Sequence, residues 1–361
     1  MEIQNFLRSS RSDPIPILKK DYGIKVSEQG DVVVFNYHQI QSIKTHPITI
    51  ECRSLKLKAG TWEIMSRSFD RFFNYGEAPE LLQNFSFETT VVMEKVDGSL
   101  IPVWFDGTSW HISTRGRAYG DGTMTSGITY SQNIQTKFPE FISRMQLANP
   151  EYTYMFEYIG PDNRIVTPYN TSELVLLGIR HNSTGHYLKL KEMESFISLL
   201  DLENIRMVKM YKMNDMQQVV ALAKSLNNLD EGYVCWDLAS DIRTKIKSPH
   251  YVAIHHMGGQ LDDTKTLIGI CLSGETSEIL VYYPEVKNKL VQIEIDIQNF
   301  KSKFLEEWIK VKDIEIQKDF ALALKSSPYR KLFFDARRYG KEPWTVFLDL
   351  PVKLQSDMVL L

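Results

Sequence analysis

Between residues 31 and 254 short apolar runs alternate with turn residues. The runs at 32–37, 49–57, 61–66, 89–93, 100–105, 109–113, 152–158, 174–179 and 232–236 have the length and the β-branched or aromatic content of strands. Ala59-Gly60 and Asp106-Gly107 each sit between two such runs and predict hairpins, because glycine supplies the positive φ of a tight turn. Helical spacing of apolar residues interrupts the pattern at 132–146 and 213–226. Beyond about Gln260 the period changes: Val286, Leu290, Ile293, Ile297, Phe300, Phe304 and Trp308 recur three or four apart and draw one stripe along a long helix. The expected fold is therefore α+β, with an antiparallel-sheet domain over 1–258 followed by a smaller all-helical domain over 259–361.

Length and composition agree with this picture. A chain of 361 residues accommodates two domains, and 43% hydrophobic against 24% charged residues suffices for a buried core. The formal net charge of -3 means that a polyanionic partner has to be held by local basic patches. Cys52, Cys235 and Cys271 lie far apart with no C-x-x-C spacing, which suggests neither disulfides nor a zinc site and fits a reducing, cytoplasmic setting. The first twenty residues lack the apolar core of a signal peptide, and no stretch approaches the roughly 18 apolar residues of a membrane span. A soluble protein without a membrane partner is expected.

The candidate chemistry centres on Glu94-Lys95-Val96-Asp97-Gly98-Ser99, between two predicted strands. A lysine amine is nucleophilic only when deprotonated, and its reference pKa near 10.4 leaves little of that form at neutral pH. Neighbouring cations and partial burial are expected to push Lys95 down. Asp97 is expected to orient the amine or the leaving group, and Gly98 to let the backbone approach a bound nucleotide. Alone, K-x-D-G describes a surface turn as well as a catalytic one. Its companions change the balance: Phe156-Glu157-Tyr158, Glu231-Gly232-Tyr233-Val234 and Lys245-Ile246-Lys247 follow in order, and strand alternation puts Lys245 and Lys247 on one face.

This order resembles the signature of ATP-dependent ligases and capping enzymes, and narrows to the type 1 RNA ligase family of T-even bacteriophage. The stretches that carry the resemblance are Val34-Phe35-Asn36-Tyr37, Glu51-Cys52-Arg53, Ser66-Arg67, Phe72-Phe73-Asn74, Glu94 to Leu100, Asn163-Arg164-Ile165-Val166 and Lys247 to Val252. The resemblance implies an ATP-grasp-like nucleotidyltransferase fold and joining of RNA 5′-phosphate and 3′-hydroxyl ends through a lysyl-AMP. It makes Lys95 the adenylated nucleophile, gives the ATP phosphates to Lys245 and Lys247, and gives phosphate or ribose to Arg53. Tyr37 and Glu157 would contact the nucleoside, and Glu231 would position a divalent metal. Arg71 and Arg115 stand where the family carries lysines; they keep the charge but fork bidentately on phosphate. The implied cofactors are ATP and Mg²⁺, with Mn²⁺ able to replace it. The implied partners are single-stranded RNA ends or broken tRNA, with a polynucleotide kinase/phosphatase preparing them in the host cytoplasm.

Several residues have a second reading. Arg53 serves either the site or a surface ion pair, and Phe73 and Phe156 are either base contacts or core aromatics. His250, His255 and His256 lack ligand spacing and read as structural. Lys325, Arg330, Lys331, Arg337, Arg338 and Lys341, interleaved with Tyr329, Phe333, Phe334, Tyr339 and Trp344, form either an RNA-tracking surface or the solvated face of a helical core. DNA ligases and GTP-using capping enzymes usually place a β-barrel after the last lysine motif, whereas the residues here read helical. A non-catalytic RNA-binding relative is the rival from another class. Oligomeric state is not legible.

Overall fold

The alternating runs form strands in the computed structural model, which describes residues 1–124, 126–226, 229–257 and 263–360. Strands β1 (Ile24–Gln29), β2 (Val32–Tyr37), β3 (Leu55–Lys58) and β4 (Ile64–Ser66) make one antiparallel sheet in sequence order. Next come β5 (Phe73–Asn74), β6 (Thr90–Glu94), β7 (Ser99–Phe105) and β8 (Trp110–Ile112). The set is completed by β9 (Tyr152–Ile159), β10 (Glu173–His181), β11 (Ile205–Met207), β12 (Met210–Tyr211), β13 (Gly232–Asp237) and β14 (Arg243–Lys247). These ten build two five-stranded sheets, ordered β11-β10-β9-β7-β8 and β12-β6-β13-β14-β5. Pairing is antiparallel except for β10 with β11 and β14 with β5. The expected α+β class with antiparallel-rich sheets holds.

Strands β6 and β7 are consecutive yet belong to different sheets, so the four residues between them lie where the two sheets meet. The shared core includes Met93, Val96, Ile101, Phe156, Leu174, Leu176, Val234 and Trp236, all buried. Both expected hairpins form, β3–β4 and β7–β8, with Gly60 at φ +79° and Gly107 at φ +101°.

Two segments differ from expectation. Residues 49–57 are not one strand: Pro47–Glu51 is a short helix, and β3 begins only at Leu55. Pro47 fits the first helical turn, and His46 caps it by accepting from the Ile48 N–H at 3.2 Å. Glu51 is thereby turned toward the N-terminal helix Glu2–Ser9, where it accepts from the N–H groups of Glu2 and Ile3 at 3.0 and 2.9 Å. Residues 132–146 split into Tyr130–Lys137 and Phe141–Arg144, because Pro139 disfavours helical backbone at Phe138.

The chain divides into two units, Met1–His255 and His256–Leu361. The boundary expected between 258 and 259 lies outside the described residues. Residues 263–360 are helical with no strand among those described. The long helix Lys287–Val311 buries Leu290, Ile293, Ile297, Phe300 and Phe304 along the expected stripe. Phe304 is the centre of an aromatic cluster, 4.9 Å from Phe333 and 5.0 Å from Tyr329 between ring centroids. Arg337 of the basic stretch serves this core: it donates to the carbonyls of Ile314 and Glu315 at 2.6 Å each and lies 4.6 Å from the Phe320 ring. No described helix is long and apolar enough to cross a membrane.

Two outcomes follow for stability. Phe304→Ala removes a fully buried ring and is expected to cost about 3–5 kcal/mol, read as lost hydrogen-exchange protection over 287–311. Gly232 sits at φ +136°, and a Cβ there would stand 2.1 Å from the Ile246 carbonyl oxygen of β14. Gly232→Ala is expected to lower stability by at least about 1–2 kcal/mol in urea denaturation, from the strained φ alone.

Candidate active site

The turn Lys95 to Gly98 is fixed from both sides. The Lys95 N–H donates to the Gly232 carbonyl at 2.8 Å, which extends the β6–β13 ladder by one residue and brings Lys95 beside Glu231. The Lys95 Nζ lies 2.6 Å from Glu231 Oε2, and Lys247 Nζ lies 3.4 Å from Glu231 Oε1. Glu231 is only 5% exposed, so this carboxylate between two ammonium groups is held out of bulk water. The nearest charged partner of Lys95 is thus a carboxylate, where the sequence reading expected cations.

Asp97 and Gly98 also have roles other than those expected. Asp97, 3% exposed, accepts through Oδ2 from the N–H groups of Val166 and Thr167 at 2.9 and 2.7 Å, and through Oδ1 from the Tyr251 hydroxyl at 2.6 Å. Both oxygens are used in holding the turn to its surroundings. A Cβ on Gly98 would meet the Tyr158 carbonyl oxygen at 2.4 Å, so this glycine is required by the close approach of β9.

A cavity of about 110 Å³ adjoins Lys95, lined by Arg53, Phe69, Phe72, Glu157, Leu177 and Val234 among others. Its walls mix apolar side chains with the charged groups of Arg53, Glu94, Lys95, Glu157 and Arg243. The Arg53 guanidinium stands over the Phe72 ring at 4.9 Å rather than in a surface ion pair. Burial pushes the Glu157 carboxyl up to about 8; Lys95 and Arg53 oppose this, while Glu231 and Asp97 add to it. At neutral pH Glu157 is therefore a hydrogen-bond donor.

The expected cations gather elsewhere, around Tyr37. The Arg71 and Arg115 guanidiniums lie 4.1 and 4.2 Å from the centre of its ring, and Arg71 also lies 5.1 Å from Phe73. Burial would raise the Tyr37 hydroxyl, yet Arg115, Arg53, Arg71 and Lys245 together bring it below its ordinary value. Arg71 Nη1 is buried with no hydrogen-bond partner. A cluster of this kind is complementary to phosphate oxygens. Lys245 and Lys247 share a face of β14, with Ile246 buried behind in a separate apolar cluster with Val92, Val219 and Tyr233.

Lys95, Glu231 and Lys247 are thus directly paired, Arg53 and Glu157 line the same small cavity as Lys95, and Tyr37, Arg71, Phe73, Arg115 and Lys245 form a neighbouring group. Phe156 stands apart. It is fully buried, packs edge-on against Phe141 at 5.3 Å, and lies on the opposite face of β9 from Glu157, so it is a core residue and not a base contact. Strand alternation already separates the two. The sequence reading also missed Arg206, which donates to Glu94 at 2.8 Å and Glu173 at 2.6 Å and ties β6 to β10; no motif marks it. Arg243, in the same alternating row as Lys245 and Lys247, carried a signal that went unused.

Known proteins resemble this chain in sequence. Residues 51–251, more than half of the chain, match the family model described as RNA ligase, of the T4 type 1 class. A protein of Autographa californica nuclear polyhedrosis virus, named for both a polynucleotide kinase and an RNA ligase, is 32% identical over 76% of this chain, which spans 41% of that relative's length. An RNA ligase of Rhodothermus phage RM378 is 25% identical over 90% of this chain and 89% of its own. An RNA ligase of Naegleria gruberi solved with AMP and Mn has 18% identity and a TM-score of 0.43, covering 54% of this chain and 59% of that one. On the extent of the family match, the chain belongs to the RNA ligase family, in its T4 RNA ligase 1-like branch.

Proposed function

We propose that the protein is an ATP-dependent RNA ligase that joins 5′-phosphate and 3′-hydroxyl RNA ends through a covalent AMP on Lys95. The observation that carries this reading is the Lys95–Glu231–Lys247 arrangement, whose Lys95 lines a small cavity with Arg53 and Glu157. Glu231, 2.6 Å from the Lys95 amine, is placed to receive its proton. The freed amine then attacks the α-phosphorus of ATP, a P–N bond forms, and pyrophosphate leaves. An RNA 5′-phosphate oxygen next takes the AMP from Lys95, and a 3′-hydroxyl attacks the activated 5′-phosphorus to release AMP and close the phosphodiester. Lys247, Lys245, Arg53, Arg71 and Arg115 neutralise charge on the phosphates, and Tyr37 orients them. The protonated Glu157 carboxyl donates to the nucleoside, and the Phe73 ring backs the Arg71 guanidinium.

Among the described residues no group of three or more His, Cys, Asp or Glu could cage a metal. Glu231 is a carboxylate suited to a Mg²⁺ or Mn²⁺ that enters largely with its phosphates and waters. Such an ion would supply charge neutralisation at the phosphates. The C-terminal domain, helical over residues 263–360, is proposed to choose the RNA, and single-stranded ends or broken tRNA prepared by a polynucleotide kinase/phosphatase are the proposed substrates, in repair. The helices after 263 give no support to the DNA ligase and capping-enzyme alternatives, which call for a β-barrel there.

Incubation with α-labelled ATP and a divalent metal is expected to label the protein covalently, and Lys95→Ala is expected to abolish the label; equal labelling of the variant would contradict the reading. A second expectation concerns pH. Because Glu157 titrates near 8 in the fold and near 4.5 unfolded, the fold binds an extra proton between those values. Its contribution is therefore complete below about 4.5 and is lost as pH rises through 8. Urea midpoints measured at pH 5 and pH 8 are expected to fall more in the wild type than in Glu157→Gln.

A further inference from the structure

A cavity of about 420 Å³ shares Phe72 and Arg243 with the one beside Lys95. Four guanidiniums line it, Arg67, Arg71, Arg180 and Arg243, against two carboxylates, Asp70 and Asp241, so its wall is net positive. Asp70 is already engaged: Arg180 donates to its two oxygens at 2.9 and 2.6 Å, and Arg67 lies 3.7 Å away. Arg243 is 7% exposed and stands 3.9 Å from the Tyr187 ring centre and 4.0 Å from that of Trp236. Its hydrogen bond to protein is a long one, 3.4 Å from Nη1 to the Asp241 carbonyl. The Nε and Nη2 of Arg243, the Nε of Arg67 and the Nη1 of Arg71 are all buried with no partner.

Four unpartnered charged donors from three residues around one cavity are costly. Aromatic faces stabilise a guanidinium through its plane but leave the N–H edge unsatisfied. An oxyanion entering the cavity would satisfy that edge in the bidentate manner suited to arginine. The fold also makes room for the arrangement: Gly185 sits at φ +78°, and a Cβ there would come within 2.2 Å of Arg67 Nη1. Arg243 belongs to the same strand face as Lys245 and Lys247, at the far end of the row from Glu231 and Lys95, roughly 13 Å along β14.

We propose, resting on the ligase reading, that this cavity is an additional phosphate subsite in which Arg243 and Arg67 join Arg71. The phosphate arrives either on the RNA 5′ end or as the pyrophosphate that leaves ATP. Aromatic walls from Phe72, Phe73 and Tyr187 suit a nucleotide carried with it.

The test compares the full chain with Arg243→Met, measuring equilibrium binding of a 5′-phosphorylated oligoribonucleotide, its 5′-hydroxyl counterpart and pyrophosphate. The proposal expects a loss of at least about tenfold for the phosphorylated strand with the 5′-hydroxyl strand unchanged if the source is RNA, or for pyrophosphate if the source is ATP. Wild-type affinity of Arg243→Met for all three overturns it. Should circular dichroism show that Arg243→Met does not fold, Arg67→Met is read by the same criteria, and unchanged binding there overturns the proposal. Covalent labelling of the wild type is scored separately. Absent labelling together with lost anion binding in the variant would remove the ligase reading and leave the subsite standing.

Discussion

The buried carboxylate of Asp97 is the constraint on which the rest of the site depends. Its three hydrogen bonds, to the Val166 and Thr167 N–H groups and the Tyr251 hydroxyl, join the turn after Lys95 to the β9–β10 connection and to the helix Pro249–Met257. A fourth bond, from the Asp97 N–H to the Tyr169 hydroxyl at 3.3 Å, closes the turn from the backbone side. Thr167 in turn donates through its hydroxyl to the Leu229 carbonyl at 2.7 Å, two residues before Glu231. Lys95 and the carboxylate that pairs with it are thereby positioned through one network. Leaving such a buried acceptor unmatched would cost more than any of these bonds contributes singly.

Around that anchor the charges are sorted by sign and by distance. Lys95 meets Glu231 at close range, while the arginines collect around Tyr37 and in the larger neighbouring cavity. Glu157 stays protonated because burial outweighs the two cations near it. A site that keeps unsatisfied guanidinium donors buried is arranged for an incoming anion, and electrostatic preorganisation of this kind is what phosphoryl transfer draws on.

Much of this was legible in the sequence, for definite reasons. Period-two runs located nearly every central strand, and the helical stripe from Val286 to Trp308 located the long helix Lys287–Val311, because each pattern has one buried face to satisfy. Lys95, Glu231 and Lys247 were found from motif order and are brought together by strand pairing. What the sequence hid is long-range. Nothing local in Asp97 shows that it will be spent on Val166, Thr167 and Tyr251, and nothing local in Arg206 shows that it bridges Glu94 and Glu173. The strand expected across 49–57 failed because Pro47 and His46 favour a helical turn before it. Phe156 was misassigned for a local reason that alternation exposes, since its neighbour Glu157 takes the cavity side.

On the proposed function, Asp97 positions Lys95 for nucleotidyl transfer. Asp97→Asn removes the charge and replaces one of the two accepting oxygens with an NH₂ group, so at least one of the three donations to Asp97 is lost. The measurement is the rate of covalent AMP transfer to Lys95 in Asp97→Asn, shown by circular dichroism to be folded, against wild type. A loss of at least about tenfold, in keeping with one unsatisfied buried group, is predicted. A folded Asp97→Asn protein that becomes adenylated at the wild-type rate would show that Asp97 does not position Lys95.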